Sequence, residues 1–221
     1  MKKSLARSRF GLTPPGLDWL PAAIVVLLII DDLSDSTKTM HHRLAERNEK
    51  MRAVVTGEYA DAGGNVYVGG TVMGHEIVHT PYVPFKDLVF PDGMRVGGSP
   101  VYQTQDEALD RLGAFLTAAY AAETAVKAVQ VVNFSDAEDT SGGVGKARVA
   151  RIRDFYAAYP QVKTTLIAPD DRYDREGAEI LLAPGSPPPV VLSDKIEAFD
   201  VILQVMVDVL RNMSRKVSTK R

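Results

Sequence analysis

Short stretches rich in β-branched and apolar residues alternate along the chain with stretches of helical spacing. Residues 23–30 form a continuous apolar run without polar alternation, which predicts a central strand that is buried on both faces. Further strands are predicted at residues 128–134, 162–168 and 189–192. Apolar residues spaced three and four apart predict helices at residues 37–59, 105–123, 146–159 and 193–212. Glycines and prolines break the β-rich stretch 66–89, which predicts two strands joined by a turn.

This alternation of strands and helices predicts the fold class. A strand, a helix and a second strand in succession usually form a crossover between parallel strands. We therefore expect an α/β fold in three layers, with a doubly wound, Rossmann-like and mostly parallel sheet. The stretch 66–89 can supply one antiparallel edge strand. In such a sheet, ligands bind where the carboxyl ends of the strands open into loops.

Composition and charge narrow the class of protein. The chain has 221 residues, of which 45% are hydrophobic and 24% charged, as in an ordinary globular protein. The net charge of −2 gives no reason to expect nucleic acid or a membrane as a partner. Cysteine is absent, which excludes disulfides, cysteine-ligated zinc and thiol catalysis. We expect a cytoplasmic protein with an N-terminal extension (1–21), one domain (22–214) and a basic tail (215–221).

The apolar run at residues 22–30 is the one segment that resembles a membrane or export signal. It has nine residues, whereas a helix needs about 20 to cross a bilayer. Prolines precede it and two aspartates follow it without a small-residue cleavage site, so we do not expect a signal peptide.

Oxygen-bearing side chains follow two of the predicted strands. Asp32, Ser34 and Ser36 form a D-x-S-x-S pattern directly after the first strand, and Asp136 follows the strand at 128–134. Ser99 lies between them, in a Gly-Gly-Ser-Pro turn before a helix. Hard oxygen ligands are those that Mg²⁺ prefers. The same residues could instead form a turn and a helix cap, but two carboxylates at one sheet edge favour a metal site.

In this order and context, the three segments resemble the von Willebrand factor A domain and its metal-ion-dependent adhesion site. The resemblance covers residues 22–214. Within that family, segment 84–100 is most similar to the bacterial tellurium-resistance-associated members. The resemblance implies that Ser34 and Ser36 bind Mg²⁺ or Mn²⁺ directly, while Asp32 and Asp136 act largely through bound waters.

Two positions depart from the family pattern. Ser99 stands where the family usually has threonine, which keeps the oxygen and loses a methyl group. Ala137 follows Asp136 where the family usually has glycine, a change that affects the backbone of the loop and leaves the carboxylate in place.

The resemblance and the chemistry of the ligands together predict a binding function. Three neutral hydroxyls leave most of the charge of a divalent cation uncompensated, so an open coordination position would attract an outside carboxylate. We expect metal-dependent binding to a protein partner that presents Asp or Glu. No nucleophile and base are paired in this set, so we do not expect an enzyme. The resemblance suggests a bacterial stress-response assembly; the sequence does not predict an oligomeric state.

A zinc metallopeptidase is the competing hypothesis. His75, Glu76 and His79 match the H-E-x-x-H pattern, which binds zinc when a helix places both imidazoles on one face. Glycines before this segment and Pro81 after it favour a strand, on which Glu76 would point away from the histidines.

Weaker signals lie elsewhere in the chain. The segment 141–146 resembles a phosphate-binding loop but fails the pattern at both ends. Gly69, Gly70 and Thr71 offer a second glycine-hydroxyl turn, but Thr71 lies only 39 residues after Asp32 and inside a strand region, so Ser99 is preferred. Thr104 is the fallback ligand. His41 and His42 have no partner at a fixed spacing, and we expect them to be exposed.

Overall fold

The structure is a computed structural model that describes residues 20–40, 46, 49, 50, 53, 65–89, 98–140 and 145–192. Its strands are β1 (Ala23–Asp32), β2 (Val66–Met73), β3 (Val78–His79), β4 (Val83–Pro84), β5 (Ala125–Phe134), β6 (Val162–Ala168) and β7 (Val190–Val191). Its α-helices, numbered within the described residues, are α1 (Val101–Ala121), α2 (Gly145–Ala158) and α3 (Arg175–Leu181). Two short 3₁₀ helices are η1 (Asp35–Met40) and η2 (Phe85–Asp87).

The strands form one mixed sheet in the order β3-β2-β1-β5-β6-β7, with β4 also paired to β2. The five strands β2, β1, β5, β6 and β7 run parallel to one another. The short strands β3 and β4 run antiparallel to β2. The predicted α/β class with a mostly parallel sheet is therefore confirmed. The antiparallel edge consists of two short strands, because the segment after β2 turns back along it and is interrupted by Pro81.

The central position of β1 explains its uninterrupted apolar sequence. Nine of its ten residues are buried, so neither face of the strand meets water. Val25, Leu27 and Ile29 belong to a core cluster on one face, while alternate residues such as Val26 and Leu28 pack under α1 and α2 on the other. Fully burying one such side chain contributes about 1.5–3 kcal/mol.

Helix α1 covers the second face and begins beside the loops at the carboxyl ends of the strands. It starts at Val101, four residues before the predicted start, because the Thr104 amide donates to the Pro100 carbonyl at 2.9 Å and closes the first turn. Its buried stripe includes Leu109, Leu112 and Leu116. The helix therefore fixes the 98–100 turn over the sheet.

The bounds of the other predicted elements agree with the structure to different degrees. The β6 bounds agree with the predicted strand, and α2 lies within one residue of its predicted ends. Helix α3 was not predicted, although Asp174 accepts a bond from the Glu176 amide at 3.0 Å as a helix cap does. The predicted helix at 193–212 lies outside the described residues, as does most of the one at 37–59. Among the described helices, none is long and apolar enough to cross a membrane.

Candidate metal centre

The end of β1 holds the carboxylate of Asp32 in a fully buried position. Its Oδ1 accepts a hydrogen bond from the Ser34 amide at 2.9 Å, and its Oδ2 accepts one from the Ser135 hydroxyl at 2.8 Å. Because Ser135 directly follows β5, these two bonds join the loop after β1 to the loop after β5. Parallel neighbours bring their carboxyl ends to the same edge of the sheet, which is why these loops meet.

Burial raises the pKa of Asp32 from its ordinary value of 3.8 to about 6. Hydrogen bonds from Ser34 and Ser135 favour the charged form and oppose this rise, whereas the nearby carboxylate of Asp136 adds to it. A buried carboxylate beside a second carboxylate is an unfavourable arrangement at neutral pH. A cation between the two would remove the repulsion and compensate the lost hydration.

The hydroxyls of Ser34 and Ser36 lie side by side, with their Oγ atoms 3.0 Å apart. Magnesium binds oxygens at about 2.0–2.1 Å in octahedral geometry, which places adjacent ligands about 2.9 Å apart. The Thr37 hydroxyl holds this turn by donating to the Asp32 carbonyl at 2.6 Å. The separation of the two serine oxygens thus fits neighbouring positions around such an ion.

Asp136 lies on the loop after β5, in a left-handed turn. Its Oδ1 accepts from the Glu138 amide at 3.1 Å, and its carbonyl accepts from the Asp174 amide at 2.8 Å. Ala137 has φ of 62°, in the left-handed region that glycine adopts most easily. The alanine therefore keeps the turn that a glycine would form, at a conformational cost.

Ser99 is buried and bonds to the far end of the same loop. Its amide donates to the Thr140 hydroxyl at 2.7 Å, and its carbonyl accepts from the Thr140 amide at 3.0 Å. Asp139 accepts a longer bond from the Tyr102 amide in the first turn of α1. The structure therefore brings Asp32, Ser34, Ser36 and Asp136 together around the loops after β1 and β5, while the contacts of Ser99 are with Thr140. The ligand role of all five residues stays a prediction.

Three polar residues that build this region were not singled out from the sequence. Ser135 bridges Asp32 and the Ala137 amide, Thr37 closes the turn after β1, and Thr140 holds the Ser99 turn. Ser135 sits directly beside Asp136 in the sequence, so its place after a predicted strand was the available signal. The roles of Thr37 and Thr140 depend on contacts that no local pattern shows.

The zinc hypothesis is not supported by the geometry of its segment. Residues 74–76 form a bend and Val78–His79 is strand β3, so the segment is not a helix. His79 Nδ1 lies 2.9 Å from the Thr71 hydroxyl, and its Nε2 lies 3.5 Å from Glu107 Oε2, whereas His75 is exposed. Within the described residues, no group of three or more His, Asp or Glu side chains is arranged to hold a metal ion.

Two further hydroxyls and the remaining weak signals have the following places. The Thr104 hydroxyl donates to the Pro100 carbonyl at 2.9 Å, and the Thr71 hydroxyl lies 2.9 Å from His79 Nδ1. Whether Thr104 replaces Ser99 as a ligand stays a prediction. His41, His42 and residues 141–144 of the glycine-rich loop are outside the described residues.

Comparison with solved structures finds similar folds at low sequence identity. The SpaC pilus adhesin of Lactobacillus rhamnosus GG superposes with a TM-score of 0.62 at 12% identity, over 86% of this chain and 30% of the adhesin. A von Willebrand factor type A protein from Catenulispora acidiphila gives 0.56 at 14% identity, over 83% and 42% of the two chains. The chain has the von Willebrand factor A fold.

A third similar structure is VWA2 of Sulfolobus acidocaldarius, a paralog of ArnB. Its TM-score is 0.55 at 13% identity, over 84% of this chain and 45% of VWA2. The chain therefore spans less than half of the length of each of these proteins. No protein-family model matches the sequence, and no curated protein matches it.

Proposed function

We propose that this chain is a metal-dependent protein-binding domain. Ser34 and Ser36 would bind Mg²⁺ or Mn²⁺ directly, together with Ser99, and Asp32 and Asp136 would act largely through bound waters. When bound, the ion would supply a positive centre with an open position for a carboxylate oxygen of the partner. The partner would accordingly present an Asp or a Glu.

The pair of serine hydroxyls next to a buried carboxylate is the observation that carries this proposal. The hydroxyl oxygens of Ser34 and Ser36 are 3.0 Å apart. They lie in the turn that follows Asp32, whose charged form is destabilised by burial. Both oxygens of Asp32 already accept a bond from the protein, which suits a carboxylate that orients bound waters rather than one that fills a coordination position itself.

The fold is consistent with binding rather than with catalysis. Similar folds occur in a pilus adhesin and in proteins described as von Willebrand factor type A. The Ser135 hydroxyl donates to the buried Asp32 carboxylate at 2.8 Å, and in this proposal that bond holds the carboxylate in place beneath the metal. A place in a bacterial stress-response system, which the family resemblance suggests, and a cytoplasmic location are further parts of the proposal.

Thermal unfolding with added divalent ions tests the metal site. We expect Mg²⁺ or Mn²⁺ to raise the melting temperature of the wild-type protein, because an ion that binds only the folded state stabilises it. Asp32→Asn should lose this increase, and His75→Ala should keep it as the matched control. Stoichiometric zinc in the purified protein that disappears in His75→Ala would refute the proposal.

The partner requirement is tested by affinity capture from a cell extract with and without a chelator. Proteins that bind the wild-type chain through the site should be lost with the chelator and should be absent from the Asp32→Asn sample. Capture that neither treatment changes would contradict metal-dependent binding.

A further inference from the structure

The loop after β5 contacts both of the other segments that carry predicted metal ligands. At its start, the Ser135 hydroxyl donates to the Asp32 carboxylate at 2.8 Å. At its end, Thr140 forms two hydrogen bonds with Ser99. The loop also carries Asp136, four residues before Thr140. Ser99 is therefore connected to the rest of the candidate metal centre through this loop, although Thr140 is 41 positions away in the sequence.

Thr140 bonds to both backbone groups of Ser99. The Ser99 amide donates to the Thr140 hydroxyl oxygen at 2.7 Å, and the Thr140 amide donates to the Ser99 carbonyl at 3.0 Å. A single hydrogen bond leaves a residue free to rotate about it, whereas two bonds between the same pair of residues restrict that rotation. The direction in which the Ser99 side chain leaves the backbone is therefore held by Thr140.

The hydroxyl of Ser99 takes no part in this pairing, because both bonds use backbone groups of the serine. Ser99 is nevertheless only 3% exposed, and within the described residues its hydroxyl forms no hydrogen bond. A hydroxyl that is removed from water is stabilised by a polar partner. A divalent cation is such a partner, since Mg²⁺ prefers oxygen ligands.

The contact between the two segments is tight on the side of Gly98. A Cβ added to Gly98 would lie 3.0 Å from the Thr140 hydroxyl oxygen, which is closer than ordinary van der Waals contact. Glycine at this position thus leaves room for the hydroxyl to reach the Ser99 amide. Thr140 itself is exposed, so burial in the core does not account for its place.

We propose that Thr140 is a positioning residue of the metal centre, which holds the Ser99 backbone so that the Ser99 hydroxyl can bind the ion. The inference rests on the proposed function and extends it to a residue that would touch neither the ion nor the partner. Replacing a group that orients a metal ligand lowers metal affinity by about 10–100-fold in metalloproteins.

Calorimetric titration of Mg²⁺ into the whole chain tests the role of the Thr140 hydroxyl. Thr140→Val removes the hydrogen-bond acceptor and keeps the branched shape, and we expect an affinity about tenfold lower than that of the wild type. Thr140→Ser keeps the hydroxyl and should restore the affinity. Thr117→Val is the matched control and should bind as the wild type does, because the Thr117 hydroxyl donates to the Gly113 carbonyl within α1 at 2.8 Å.

Two further measurements separate positioning from direct binding and from folding. If Thr140 acts through Ser99, the variants Ser99→Ala and Ser99→Ala/Thr140→Val should have the same Mg²⁺ affinity, lower than that of the wild type. If its role is not in folding, metal-free Thr140→Val should melt within about 2 °C of the wild type, as expected for an exposed residue.

Four results would overturn this inference and leave the proposed function standing. They are equal Mg²⁺ affinity in the wild type and Thr140→Val, no restoration by Thr140→Ser, a further loss when Thr140→Val is added to Ser99→Ala, and a clearly lower melting temperature of metal-free Thr140→Val. Failure of the wild-type protein to bind Mg²⁺ would overturn both the inference and the proposed function.

Discussion

Two segments of this chain carry a sequence pattern typical of a metal site: the loop after β1 and the H-E-x-x-H segment at residues 75–79. The two segments adopt different backbone conformations. The loop after β1 turns at once into η1, which brings the Ser34 and Ser36 hydroxyls within 3.0 Å of each other. The H-E-x-x-H segment instead bends and enters β3, which leaves His75 exposed while His79 packs against α1. The backbone that carries a pattern decides whether its side chains can meet.

The two segments also differ in the charge state that the fold favours. Burial raises the pKa of Asp32 to about 6, and it lowers the pKa of His79, with Arg111 adding to that decrease and Glu107 opposing it. Both shifts favour the neutral side chain. They nevertheless give opposite dependences of stability on pH, because one group is an acid and the other a base.

The largest expected effect is the pH dependence that Asp32 causes in the metal-free protein. The folded state holds its proton up to about pH 6, and the unfolded state up to about 3.8, so the free energy of unfolding should fall as pH rises through this window. The difference corresponds to about 3 kcal/mol. Urea unfolding of wild type and Asp32→Asn across pH 4–7 checks it.

The Asp32→Asn variant should gain stability relative to wild type as pH rises, and a constant difference between the two proteins would contradict the account.

For His79 the pH dependence of stability has the opposite sign. The unfolded state binds a proton more readily than the folded state, so the contribution of His79 to stability should be lost as pH falls below about 6.5. His79→Gln should remove that loss.

A second prediction concerns the close contact behind the Asp136 loop. A Cβ on Gly177 would lie 2.2 Å from the Ala137 carbonyl oxygen, so Gly177→Ala must displace the loop or α3. We expect a loss of about 1–3 kcal/mol in the free energy of unfolding. Gly113→Ala is the control, since its Cβ would meet the Phe155 side chain at 3.3 Å, and it should stay within about 1 kcal/mol of wild type.

The contribution of the β2–β3 hairpin to stability can be measured separately from that of the candidate metal centre, by a substitution with a smaller expected effect. His79→Ala removes the hydrogen bond with Thr71 and the contact with Glu107, which should cost about 1 kcal/mol of stability. Chemical denaturation measures that cost, and His75→Ala should show none because the side chain is exposed. A zinc-dependent stability that both variants lose would restore the peptidase hypothesis.

The smallest effect is expected at Ala137. Its φ of 62° costs about 1–2 kcal/mol for a residue with a side chain, and glycine would relieve this strain while making the unfolded chain more flexible. Ala137→Gly should therefore stabilise the protein by about 0.5 kcal/mol, as measured by urea unfolding. A clear destabilisation would show that the left-handed turn after Asp136 is not maintained in solution.

Much of the fold could be predicted because β1 is buried on both faces and leaves a continuous apolar run, while β5 and β6 are rich in β-branched residues. Helix α3 was missed because it is short and has no long apolar repeat, although Asp174 offered a cap. The partners of Asp32 could be predicted only in part. Ser34 is local, whereas Ser135 reaches it from 103 positions away through the pairing of β1 with β5.

Calorimetric titration of Mg²⁺ into the wild-type chain and into the double variant Ser34→Ala/Ser36→Ala tests the central claim most directly. The account predicts one binding site per chain in the wild-type protein and an affinity at least about tenfold lower in the double variant, with His75→Ala unchanged. Equal Mg²⁺ affinity in the wild type and the double variant, or no binding to the wild type, would contradict it.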